Sequence, residues 1–148
     1  MTVKEYLGQA YLLDQRIKSH TIELEELREM SQSISSPDFE EHYSATKNTD
    51  APFEKTLMKI TEMESRILSE MNLLVELKAQ IHEIIGQIEK PEYQTALRYR
   101  YIHNYSWPRI GDLLYVDETT VRRWHNKAIA KIVLPENIIV LKNAQVCT

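Results

Sequence analysis

Thr119, Thr120, Arg122, Arg123, Asn126 and Lys127 crowd into one short stretch of a 148-residue chain. Arginine can fork onto guanine O6 and N7, asparagine can pair with adenine, and threonine can meet a thymine methyl group or a phosphate. Side chains of these types, so close together, suit a surface that reads base-pair edges in double-stranded DNA. At 100° per residue a helix would place Val121, Trp124, Ala128 and Ile132 on one face. Thr119, Arg123, Asn126 and Ala130 would lie opposite, flanked by Thr120, Arg122 and Lys127. Between Arg98 and Lys131, seven basic residues stand against three acidic ones, a local balance of +4 that attracts phosphate. Arg109 and Ser106, upstream of this stretch, are placed to touch the phosphate backbone rather than bases.

Such a surface needs a scaffold, and the flanking residues supply the pattern of a helix-turn-helix. That motif requires an apolar residue followed by a very small one in its first helix, so that the second helix can approach closely; Ile110 and Gly111 meet the requirement. Leu114, Val116, Val121 and Trp124 stand at the spacings of the apolar anchors. Tyr115 occupies the turn position where glycine is usual, because that residue tends to adopt positive φ. A side chain there costs on the order of 1 kcal/mol, which predicts a variant turn geometry. Helices are expected over Glu92–His103, Trp107–Leu114 and Glu118–Val133, with Ser106 and Asp117 as N-caps of the last two and Pro135 beyond the end.

Residues 93–133, with Leu97, Arg100-Tyr101, Tyr105-Ser106-Trp107, Ile110, Leu114, Val121, Arg122, Ala128 and Ile132, resemble the region-four helix-turn-helix of sigma-70-type factors. The wider layout, an acidic helical region before such a domain, is similar to the ArpU/RinA-like regulators of phages and prophages. That resemblance implies a transcriptional regulator of late phage genes, an activator by preference, working in the cytoplasm of a bacterial host. Its recognition-helix positions fall on Thr119, Thr120, Arg122, Arg123, Asn126 and Lys127. A small terminase subunit, which also joins a helix-turn-helix to an oligomerising helical region, is the alternative; an adaptor that binds sigma factor or RNA polymerase without DNA is the third.

The preceding region has another character. Residues 1–90 carry ten Lys/Arg against seventeen Asp/Glu, a balance of −7, whereas residues 91–148 carry eight against five, a balance of +3. Tyr6, Ala10, Leu13, Ile17, His20, Leu24 and Leu27 alternate steps of four and three, a heptad seam with His20 its polar member. Ile60, Ile67, Leu74, Ile81 and Ile88 recur every seventh residue, and Met63, Met71, Leu77, Ile84 and Ile85 widen their stripe. So broad a stripe wants more than one partner helix, which predicts a hairpin that pairs with a second copy of the chain in a four-helix bundle. Residues 31–53, rich in Ser and Thr with Pro37 and Pro52, are expected as a long polar loop.

The expected architecture is therefore all-α. A long antiparallel helical hairpin or coiled coil occupies residues 1–90, a three-helix helix-turn-helix domain residues 91–134, and a tail residues 135–148. Pro91, unable to continue a helix but well tolerated in a first turn, marks the boundary. Ile138 to Leu141 of the tail could dock on the hairpin or pair as a short strand. Trp107 and Trp124 are read as core anchors, and Tyr93, Tyr99, Tyr101, Tyr105 and Tyr115 as the filling of a small core.

Other classes are disfavoured. The single cysteine, Cys147, allows no intrachain disulfide and no cysteine-built zinc site. His103 and His125 lack a ligand cluster, so neither metal nor cofactor is expected. No carboxylate pair stands out as an acid/base couple, so the protein is not expected to be an enzyme. Three glycines, Gly8, Gly86 and Gly111, rule against a glycine-rich phosphate loop. The longest apolar run, Ile138 to Leu141, is far short of the roughly 20 residues of a membrane span, and Met1 to Ala10 does not read as a signal peptide. The expected partners are double-stranded DNA, a second copy of the chain in a dimer, and RNA polymerase, with no membrane.

Overall fold

The computed structural model describes residues 1–34 and 46–141, and these form an all-α protein. Its helices are α1 (Val3–Ile34), α2 (Thr46–Ile85), α3 (Pro91–Tyr101), α4 (Trp107–Leu114) and α5 (Glu118–Lys131). None of the described helices is long and apolar enough to cross a membrane. The described residues of Gln15–Asn72 form one compact unit, and Met1–Asp14 with those from Leu73 onward form another. Pro91 does open a new helix, yet the second compact unit spans that position, taking in the first turns of α1 and the last turns of α2 together with α3, α4 and α5.

α1 begins with a reciprocal capping box. The Thr2 backbone N–H donates to Glu5 Oε2 at 3.0 Å, and the Glu5 N–H donates to Thr2 Oγ1 at 3.2 Å. The heptad seam faces inward: Tyr6, Ala10, Leu13 and Leu24 are buried, and Ile17, His20 and Leu27 half-buried. On α2, Ile67, Leu77, Ile81, Ile84 and Ile85 are buried. Ile88 continues the seven-residue repeat past the helix end, buried in the turn that follows Gly86.

In the Gln15–Asn72 unit the two helices run antiparallel, as their ion pairs require. Arg28 meets Glu64 at 3.0 Å, while His20 Nδ1 lies 2.6 Å from Glu70 Oε1 and Arg16 lies 3.9 Å from Glu70 Oε2. His20, the one polar member of the seam, thus has a carboxylate opposite it. The helices consume more of residues 31–53 than the polar composition suggested. α1 runs on to Ile34, and α2 starts at Thr46 and holds Pro52 inside it. Serine and glutamine are tolerated in a last turn, and Pro52, exposed in the second turn of α2, leaves one backbone carbonyl of the preceding turn without its helical donor. Residues 35–45 of that expected loop lie outside the described residues.

In the other unit, residues 137–141 of the tail dock on two glutamine amides that hold them. Gln80 donates from Nε2 to the Asn137 carbonyl at 3.2 Å and accepts from the Ile139 N–H at 2.8 Å. Gln9, itself buried, donates to the Ile139 carbonyl at 2.9 Å and accepts from the Leu141 N–H at 2.8 Å. Each amide gives the tail one donor and one acceptor, so the pair satisfies alternate backbone groups much as a neighbouring strand would. Tyr6, its hydroxyl pushed up to about 12 by burial, donates to Gln80 Oε1 at 2.6 Å and orients it.

Candidate nucleic-acid interface

The three C-terminal helices pack around Ala96, Ile110 and Val121, with Tyr99, Tyr105, Trp107, Leu114 and Val116 closing over them. Ser106 caps α4, its Oγ accepting from the Arg109 N–H at 3.4 Å. Asp117 precedes α5 in extended conformation without a side-chain cap bond. The ends of α3 and α5 fall at Tyr101 and Lys131, each two residues before the expected limit, and Ile132 is already extended.

The α4–α5 turn keeps its ordinary hand in spite of Tyr115. That residue sits at φ 56°, ψ 40°, in the left-handed region that glycine usually fills. The Val116 N–H donates to the Gly111 carbonyl at 3.0 Å and the Tyr115 N–H to the Asp112 carbonyl at 3.4 Å, the two bonds of a Schellman ending. The expected variant geometry is therefore not adopted: the chain accepts the strain instead. Tyr115 is 95% exposed, so its ring contributes no packing that a substitution would forfeit. Tyr115→Gly is expected to raise stability by about 0.5–1 kcal/mol, read as a higher denaturation midpoint. An unchanged or lower midpoint would contradict this account.

Gly111 is the small residue on which the helix pair depends. A Cβ built on it would lie 2.8 Å from the Val116 carbonyl oxygen and 3.5 Å from the Glu118 nitrogen, both backbone atoms. No side chain can swing aside there.

On α5, Val121 and Ala128 are buried, with Ile132 buried just past its end, and Trp124 is half-buried, its ring 6.5 Å from that of Tyr93. The opposite face is open. Thr119, Arg122, Arg123, Asn126 and Lys127 are exposed and Thr120 is half-exposed, all on one helix. Arg122 pairs with Glu118 one turn back at 2.7 Å, at the surface, whereas among the described residues no carboxylate reaches Arg123 or Lys127. Arg109 projects from the start of α4, its guanidinium lying over the Tyr105 ring at 3.9 Å. That stacking holds the cation in place without neutralising it. Trp107 is half-buried, edge-on to His125 at 4.8 Å, with the Arg100 guanidinium 4.3 Å above it.

His125 is a core residue, a role that the sequence reading did not assign to it. It is 3% exposed, about one turn from Val121 and Ala128 on α5, and that spacing was the available signal. Among the described residues no group of three or more His, Cys, Asp or Glu is placed to hold a metal ion. His125 instead has a partner on each nitrogen. The Tyr101 hydroxyl lies 2.5 Å from Nε2, and Asn126 Oδ1 lies 3.2 Å from Nδ1. Burial pushes the Tyr101 hydroxyl up to about 12, with Arg100 pulling the other way, so it keeps its proton and donates to Nε2. Nδ1–H then donates to Asn126, and a neutral imidazole is satisfied on both sides.

Burial lowers the pKa of His125; the Asn126 bond opposes the shift, and the charges of Lys4 and Arg100 add to it. With the folded value below about 6.5, the unfolded chain binds more protons as pH falls through that region, so stability is lost on acidification. The fall in melting temperature between pH 7.5 and 5.5 is expected to be steeper in the wild type than in His125→Asn. Parallel pH profiles would refute the assignment.

Comparison with protein-family models, with curated proteins and with solved structures finds no match to this chain.

Proposed function

We propose that this protein is a DNA-binding regulator of transcription that inserts α5 into the major groove of double-stranded DNA. The reading rests on one observation: a helix braced by Val121, Ala128 and Ile132 turns Arg122, Arg123, Asn126 and Lys127 to solvent. Arg123 and Asn126 read bases, while Arg109 at the start of α4 anchors a phosphate. The likeness of residues 93–133 to sigma-70 region four, and of the layout to ArpU/RinA-like regulators, favours control of late phage genes. The acidic hairpin is repelled by DNA and is free to meet protein, RNA polymerase included.

The reading includes a dimer. Leu57, Leu68 and Met71 are all exposed on α2 and fall within about 60° of one another around it, beside the buried stripe. A second copy of the chain covers that face in this account, and the two-fold symmetry then sets the spacing of two half-sites.

The test is to select duplexes from a random-sequence library with the full chain and measure affinity for the selected DNA over a range of salt concentrations. Saturable binding that weakens as salt rises, by a particle of two chains in sedimentation, supports the proposal. No enrichment, or affinity indifferent to salt, refutes it. Rings of eight or more subunits would point to a small terminase subunit instead.

A further inference from the structure

A cleft beside Trp107 has the chemistry of a ligand site. Its volume is about 660 Å³, within the range of small-molecule sites. Lys4, Gly8 and Tyr11 line it from the first turns of α1, Arg100 and Tyr101 from the end of α3, and Trp107 from the start of α4. Two cations and three aromatic rings meet there, and no carboxylate is among the lining residues. Arg100 is held in place, its guanidinium over the Trp107 ring and Nη1 donating to the Tyr105 carbonyl at 3.0 Å. Its other N–H groups are left to bond elsewhere. Among the described residues neither Lys4 nor Arg100 has a carboxylate within ion-pair distance.

Gly8 is the independent observation. A glycine inside a helix is unfavourable relative to alanine, so it calls for a reason. Backbone conformation is not the reason, because no glycine here has positive φ. Close packing is not the reason either: a Cβ on Gly8 would find nothing among the described residues within 4 Å, in contrast to Gly111. What the missing side chain does is leave the wall of the cleft open.

We infer that this cleft binds a small aromatic anion, its ring between Tyr11, Tyr101 and Trp107 and its acidic group on Lys4 and Arg100. Charge-assisted hydrogen bonds from the two cations select the anion, and the aromatic walls select a flat ring. Trp107 also touches His125 on α5, so an occupant sits one side chain from the helix proposed to read DNA. That consequence rests on the reading above; binding itself does not.

The experiment is a calorimetric titration of the full chain, without DNA, using naphthalene-2-sulfonate and its uncharged analogue 2-naphthalenemethanol. The Trp107 indole resonance, assigned with Trp124→Phe, reports where the probe sits. Saturable one-site binding of the sulfonate is expected, about fivefold or more tighter than the alcohol, with the Trp107 resonance shifting and a loss of similar size in Lys4→Met. Gly8→Leu is expected to abolish binding, and Gly8→Ala to raise the melting temperature by roughly 3 °C if only room for an occupant disfavours alanine. Failure of the sulfonate to saturate, equal affinity for the alcohol, an unmoved Trp107 resonance, or full affinity in Lys4→Met overturns the inference. Each result is independent of whether the protein binds DNA.

Discussion

Gly111→Ala is expected to destabilise the protein by about 1–3 kcal/mol, a fall of roughly 3–10 °C in melting temperature. In an exposed helix the same change would stabilise by about 1 kcal/mol, because alanine is the better helix former. The sign reverses here because the new Cβ would come within 2.8 Å of the Val116 carbonyl oxygen. That oxygen belongs to the backbone of the turn, and Val116 is also tied to Gly111 by its own N–H at 3.0 Å. Relief therefore requires α5 to move away from α4, opening the cluster of Ile110, Val121 and Ala96. Denaturation of wild type and Gly111→Ala side by side tests this, with Gly8→Ala as the control in which a Cβ meets open space. A Gly111→Ala protein as stable as wild type would show that the helices do not pack as described.

Removing the guanidinium of Arg123 is expected to have the largest effect on DNA affinity, about 10–100-fold for Arg123→Ala on selected duplex DNA. Arg122→Ala should cost less. Arg122 spends part of its charge on Glu118 at 2.7 Å in the free protein, and that pair must be given up or shared when a phosphate arrives. Arg123 carries no such cost. Asn126, an exposed residue, is oriented by His125 through Oδ1, which retains a second lone pair. Asn126→Ala is therefore expected to relax sequence preference more than it reduces the salt dependence. Affinities of the three variants at two salt concentrations distinguish base contacts from phosphate contacts, since losing a phosphate contact lowers the salt slope by about one. Unaltered affinity in both arginine variants would remove α5 from the interface.

Much of the fold was legible because its signals are local and periodic. The seven-residue repeats of α1 and α2, Ser106 before Trp107, and Pro91 at the start of α3 each follow from neighbours within a turn or two. The Ile110-Gly111 pair was legible for the same reason: a small residue at that place has one common use. The Thr2–Glu5 capping box was equally local and was overlooked. Local composition misled over residues 46–53, where a polar, proline-containing segment is helical.

What the chain order alone determined is which residues alternate between inside and outside, since helical periodicity converts spacing directly into faces. Tertiary structure decided everything that depends on residues distant in sequence meeting. Tyr115 takes the left-handed turn because packing of Ile110, Val116 and Val121 outweighs one strained residue. His125 is a core residue because Tyr101 and Trp107 arrive from other helices to enclose it. Gln9 and Gln80 read as ordinary surface amides until the tail, more than fifty residues later in both cases, lies between them and takes both their donors and their acceptors. Such contacts are selected by the geometry of the assembled core, and no spacing along the chain encodes them.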